Sequence, residues 1–135
     1  MGHAELDRRA TDLVDGELTE RVIGTFYAVY NELGPGFLES VYVNALVIAL
    51  GEAGLKVETE VPLAVLFRNH VVGQFRADLL VDDKLIVEVK AAQQLAKAHE
   101  VQLVNYLRAT GIQVGLLLNF GPRAELRRRI CKPIA

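Results

Sequence analysis

The hydrophobic pattern changes period once, and that change decides the class of fold. Up to Gly51 apolar residues recur at helical spacing; from Leu55 they alternate with polar ones. Leu18, Val22, Phe26, Val29, Tyr30 and Leu33 predict a helix over Glu17–Leu33, which "GPG" at 34–36 stops. A second helix is expected from about Leu38 to Gly51, burying Tyr42, Ala45, Leu46 and Ala49. Then Leu55, Val57, Thr59 and Val61 alternate with Lys56, Glu58 and Glu60, the pattern of a strand with one wet face. Pro62 is expected to interrupt it before Leu63–Phe67 resumes, and Arg68-Asn69-His70 to turn the chain. Val71–Val81 and Leu85–Val89 read as two further strands joined through Asp82-Asp83-Lys84. Ala91–Thr110 reads as a long helix closed by Gly111, and "QVGLLLNF" at 113–120 as a strand buried on both faces. That helix is long enough for a crossover, so the strands on either side of it can run parallel. The expectation is an α/β domain, a mixed sheet in αβββαβ order with flanking helices, ending in a short basic element.

A chain of 135 residues suits one domain, taken as residues 16–135 behind a loosely ordered leader at 1–15. No segment is apolar for long enough to span a bilayer, and the N-terminus lacks the apolar run of a signal peptide. A lone Cys131 can form no internal disulfide, and a reducing, cytoplasmic setting is expected. The net charge of −2 hides an asymmetry: residues 1–60 sum to −7, 61–120 to +1 and 121–135 to +4. A non-specific nucleic-acid binder is usually basic throughout, so any contact with phosphate should be local. Arg123, Arg127 and Arg128 near the C-terminus, with Arg76, are the candidates, although such a run is often only a solvated cluster.

The stretch "FRADLLVDDKLIVEVK", Phe75–Lys90, carries the chemistry. Glu88 and Lys90 share a strand face, with Val87 and Val89 on the other. Whether Asp78 joins them depends on the turn. A three-residue loop sets Asp78 opposite Glu88; a two-residue loop sets it opposite Val87 and sends it to the other face. Three-residue loops favour Gly at the last position, where Lys84 stands, so a bulge would have to serve. Two carboxylates facing each other in a buried sheet repel, and one would hold a proton. A divalent cation removes the conflict, since Asp78 and Glu88, with the Val89 carbonyl, offer the hard oxygen ligands that Mg²⁺ accepts. Lys90 would then stabilise developing negative charge or orient a water. The bland reading is an ion-pair cluster with Arg76 and Lys90, but buried pairs stabilise weakly.

Asp, some ten residues, then Glu-x-Lys across a hairpin resembles the PD-(D/E)XK nuclease superfamily. "GFLESVY", Gly36–Tyr42, further resembles the signature of the GxxExxY proteins, a bacterial branch of it, with Gly36, Glu39 and Tyr42 at the named positions. The similarity runs from about Leu18 to Ile130. It implies a restriction-endonuclease-like core with Asp78 and Glu88 as metal ligands and Lys90 as the catalytic lysine. Glu39 takes the place of the acid presented from the first core helix, as a further metal ligand or proton acceptor. Read locally, Glu39 only complements the helix dipole. Gln102 and Tyr106 match the QxxxY element that positions substrate, and their spacing puts them on one helix stripe with His99. Ala77 stands where the superfamily label has Pro. The expected function is Mg²⁺- or Mn²⁺-dependent hydrolysis of phosphodiesters in DNA or RNA, by a homodimer where a duplex is cut. The alternative is a non-catalytic binding module for nucleotide, nucleic acid or protein on the same fold.

Overall fold

The structure is a computed structural model and describes residues 15–131. The leader expected at 1–15 therefore lies outside the described residues except for Asp15, as does Lys132. The elements run α1 (Gly16–Leu33), α2 (Glu39–Glu52), β1 (Val57–Phe67), β2 (His70–Val81), β3 (Leu85–Lys90), α3 (Lys97–Thr110), β4 (Val114–Phe120) and β5 (Ala124–Ile130). The strands form one mixed sheet in the order β1-β2-β3-β4-β5. β3 and β4 are parallel, with α3 between them in the chain; the other neighbours are antiparallel.

Each sheet face carries its own core. On one face α1 contributes Val22, Phe26 and Val29, and α2 contributes Tyr42, Leu46 and Leu50, against Leu79, Val87, Leu116 and Phe120. Tyr42 stacks on Phe120 at 4.1 Å, and Phe26 meets the same ring edge-on at 4.9 Å. On the other face Leu103 and Leu107 of α3 cover Ile86 and Leu117. With both faces covered, β4 is buried along its whole length, as its unbroken apolar run requires.

Three expectations are corrected. Pro62 does not interrupt β1, because β1 is an edge strand whose outer side has no partner in the sheet to lose. The long helix starts at Lys97, not Ala91. The backbone N–H groups of Ala91, Ala92 and Leu95 are instead taken by the side chains of Glu39, Asn119 and Glu125. The short basic element is a full strand, β5, paired along all of β4. A smaller change is the first hairpin turn: Phe67 pairs with His70, so Arg68 and Asn69 alone make it, both at positive φ.

Candidate active site

The β2–β3 turn resolves in favour of the three-residue loop. Val81 pairs with Leu85, so Asp82, Asp83 and Lys84 are the loop. The left-handed residues are Asp82 (φ 50°) and Asp83 (φ 58°), and Lys84 is the extra residue that donates its N–H to Val81 O at 3.0 Å. Aspartate tolerates that region better than most side chains. Asp82 Oδ1 also accepts the Lys56 N–H at 2.8 Å, which ties the turn to the start of β1.

This register carries Asp78 and Glu88 to the same place. β2 and β3 pair only at Leu79–Val87, Leu80–Ile86 and Val81–Leu85, after which the strands part. Where they part, the carboxylates replace the missing ladder bonds. The Asp78 N–H donates to Glu88 Oε2, and the Val89 N–H to Asp78 Oδ2, both at 2.8 Å. Each carboxylate thus spends one oxygen on backbone. Asp78 Oδ1 and Glu88 Oε1 accept nothing from the described residues.

Burial governs the charge of the pair. Glu88 is 4% exposed. Its carboxyl is pushed up to about 7, first by burial and then by the Asp78 charge, against the pull of the Asp78 N–H and of Lys90. Asp78 is raised mainly by burial, with the Val89 N–H and Lys90 opposing and the charges of Glu39 and Glu60 adding to the rise. Lys90 and Glu39 are therefore both within electrostatic reach of the two acids.

Glu39 opens α2 and lies across from the end of β3, where its Oε2 accepts the Ala91 N–H at 3.4 Å. The loop before it explains the spacing of Gly36, Glu39 and Tyr42. Gly36 turns the chain at φ 112°, and the Tyr42 hydroxyl donates to Gly34 O at 2.6 Å and accepts the Phe37 N–H at 3.1 Å. A buried ring on the second turn of α2 thus holds the loop that delivers the acid on the first.

On α3, Gln102 Nε2 donates to Tyr106 Oη at 3.1 Å. The Tyr106 phenol is raised by burial and then by the charges of Glu88 and Asp78, so it lies within electrostatic reach of the acids. His99 is absorbed locally, its Nδ1 accepting the Ala96 N–H at the helix start. The arginines stand further out. Arg76 lies 3.9 Å from Glu60, both exposed, and Arg127 lies 3.9 Å from Glu125. Strand alternation in β5 puts Arg127 and Arg128 on opposite sheet faces, Arg127 opposite Leu117 and Arg128 opposite Leu116. Arg123 lies in the turn before β5.

Three residues near the site have no motif to announce them. Glu60 would pair with Asp78 in the β1–β2 register, but it sits at φ 49° and the pairing skips it. The sheet changes sides there: Val57 packs with α1 and α2, whereas Val61 and Leu63 pack with α3. Asn119, fully buried, brackets Ala92 by accepting its N–H at 2.8 Å and donating to its carbonyl at 3.0 Å. Glu125 Oε1 accepts from Asn119 Nδ2 at 3.0 Å and from the Leu95 N–H at 3.2 Å. Together they fasten the segment that follows Lys90. A buried Asn in an apolar strand, next in register to Lys90, was the available signal.

The donor set suits a hard cation. Among the described residues no three acidic, imidazole or thiol groups converge tightly enough to enclose an ion by themselves. Two carboxylates with an oxygen each to spare match an ion such as Mg²⁺, which keeps water and substrate oxygens in its shell. A metal would also favour the charged forms that burial, and then neighbouring acids, disfavour at both carboxyls. The described residues include no helix long and apolar enough to cross a membrane.

A family model described as the PD-(D/E)XK nuclease superfamily matches residues 16–130. A solved structure, "Crystal structure of SSO0001", superposes with a TM-score of 0.53 at 23% identity, covering 71% of this chain. The chain spans half the length of that protein, and the likeness concerns fold alone. No curated protein matches the sequence.

Proposed function

Because the chain belongs to the PD-(D/E)XK nuclease superfamily, we propose that it hydrolyses phosphodiester bonds in DNA or RNA at Asp78, Glu88 and Lys90. The observation that carries this reading is the carboxylate pair in the gap between β2 and β3, each acid giving one oxygen to a backbone N–H across the gap and keeping the other without a donor among the described residues. Asp78 and Glu88 would hold Mg²⁺ or Mn²⁺, with Glu39 at the rim. When bound, the cation supplies positive charge that polarises the phosphate. The Lys90 ammonium stabilises the negative charge that develops on the phosphoryl oxygens as water attacks. Glu39, exposed at the head of α2, accepts the proton that the attacking water gives up. Gln102 and Tyr106, joined by their hydrogen bond, orient the substrate strand. Arg76, Arg123, Arg127 and Arg128 supply weaker contacts to outlying phosphates.

Gly36, Glu39 and Tyr42 support placement in the bacterial GxxExxY branch, and their interplay in the loop gives that signature a physical purpose. Action on a duplex calls for a homodimer in a cytoplasmic setting. The test is cleavage of single- and double-stranded DNA and RNA in Mg²⁺ or Mn²⁺. Asp78→Ala and Lys90→Ala should each lower the rate by at least about a hundredfold while the protein stays folded. Equal rates for wild type and both variants would remove the reaction from this site.

A further inference from the structure

Between the outer half of the β1–β2 hairpin and α3 lies an open cleft of about 920 Å³. Leu66, Val72 and Phe75 line it from the hairpin, and Gln102, Asn105 and Arg108 from the helix. Gln102 and Tyr106, the pair assigned above to orient the substrate strand, belong to its lining. Phe75 is 45% exposed, one of several exposed apolar side chains on this hairpin. The ring is nonetheless held: its centroid lies 5.8 Å from that of Tyr106, and its edge lies over Gly73, where an added Cβ would come within 3.0 Å of it.

The lining is chemically selective. Among the described residues no acid lines this cleft, and Arg108 does. Apolar walls and an aromatic ring suit a flat, weakly hydrated ligand. The Gln102 and Asn105 amides suit a ligand edge carrying both donors and acceptors. Arg108 and the absence of carboxylates suit a ligand joined to negative charge. An unpaired nucleobase on a phosphodiester strand has all three properties. In a duplex the base faces are already stacked. A peptide or a second copy of this chain would suit the apolar walls and the amides, but brings no flat ring carried on a continuously negative backbone.

We propose that this cleft takes the unpaired bases of single-stranded nucleic acid, with Phe75 as the stacking platform. The inference rests on the nuclease reading above and narrows its substrate class. The test is binding of a short single strand containing 2-aminopurine to the full chain in EDTA, where no cleavage intervenes, in deoxyribose and ribose forms. The fluorescence should be quenched, and the single strand should bind about tenfold tighter than a duplex of the same sequence. Phe75→Ala should weaken single-strand binding about tenfold, while Phe75→Tyr restores it; thermal melting confirms that both variants fold. Equal binding of single strand and duplex, or no effect of Phe75→Ala, overturns the proposal. So does a dimer in sedimentation that Phe75→Ala dissolves, which would assign the cleft to a second copy. Cleavage that depends on Lys90 but ignores Phe75 leaves the nuclease reading standing and removes this one. Quenching that depends on Phe75, without cleavage of any substrate, keeps the base site and removes the nuclease reading.

Discussion

Glu88 shares β3 with apolar residues and Lys90, and folding removes it from water. Its carboxyl rises from 4.5 to about 7 on burial, so between those values the folded chain binds more protons than the unfolded one. Metal-free protein should therefore lose stability as pH rises through that window, by about 3 kcal/mol from this residue. Asp78, raised in the same direction, adds to the slope. Chemical denaturation from about pH 4.5 to 8 in EDTA should show the decline, and Glu88→Gln should flatten most of it. A flat wild-type profile would mean that the pair is not buried as described. Asn119 and Gly121 act on the neighbouring loop. A Cβ on Gly121 would collide with Ala92 O and lie 2.8 Å from Asn119 Nδ2, so Gly121→Ala must push the loop after Lys90 off β4. It should destabilise by about 2 kcal/mol. Asn119→Ala, which leaves the Ala92 N–H and carbonyl without this partner, should cost about 1–3 kcal/mol. Thermal or denaturant unfolding checks both, and cleavage should fall with them because Lys90 loses its support.

Among the elements, α2 joins the fold to the chemistry. Tyr42→Phe keeps the stack on Phe120 but frees the Gly34–Phe37 loop, whose carbonyl and N–H the hydroxyl holds. It should cost about 1 kcal/mol in stability. Cleavage should drop by more than that loss of folded protein explains, read as a lower kcat in a fully folded sample. Unchanged kcat would detach the loop from Glu39. The elements also show what the sequence makes legible. The period switch after Gly54 marks α1, α2 and the strands to within a few residues, because buried faces impose it. The start of α3 was not legible: Ala91–Ala96 contains no helix breaker, and three distant side chains hold its N–H groups out of the helix. β5 was obscured because its arginines read as a solvated run, whereas β4 offers an open backbone edge that any strand can use. The β2–β3 turn left two registers open, since Asp82 and Asp83 take the left-handed positions that pattern alone would give to glycine.

Across the whole molecule, the sheet brings together residues that the chain keeps far apart. Glu39 belongs to α2, Asp78 and Glu88 to a hairpin, and Tyr106 to α3. The Asp78 and Glu88 carboxylates hold β2 against β3, and Glu39 reaches the end of β3 through the Ala91 N–H. That Asp78 and Glu88 face each other was one of the two registers legible in Phe75–Lys90. Glu60 could not, since only its place in the gap between the Thr59–Leu79 and Val61–Ala77 pairs brings its charge to bear on Asp78. The central claim is that Asp78 and Glu88 form a cation site. The most direct measurement is an anomalous difference map from crystals of the full chain grown with Mn²⁺. The account predicts a peak in contact with an oxygen of Asp78 and an oxygen of Glu88, with Lys90 beside it. Crystals saturated in Mn²⁺ that show no peak there, with both carboxylates still holding only the Val89 and Asp78 N–H groups, would contradict it.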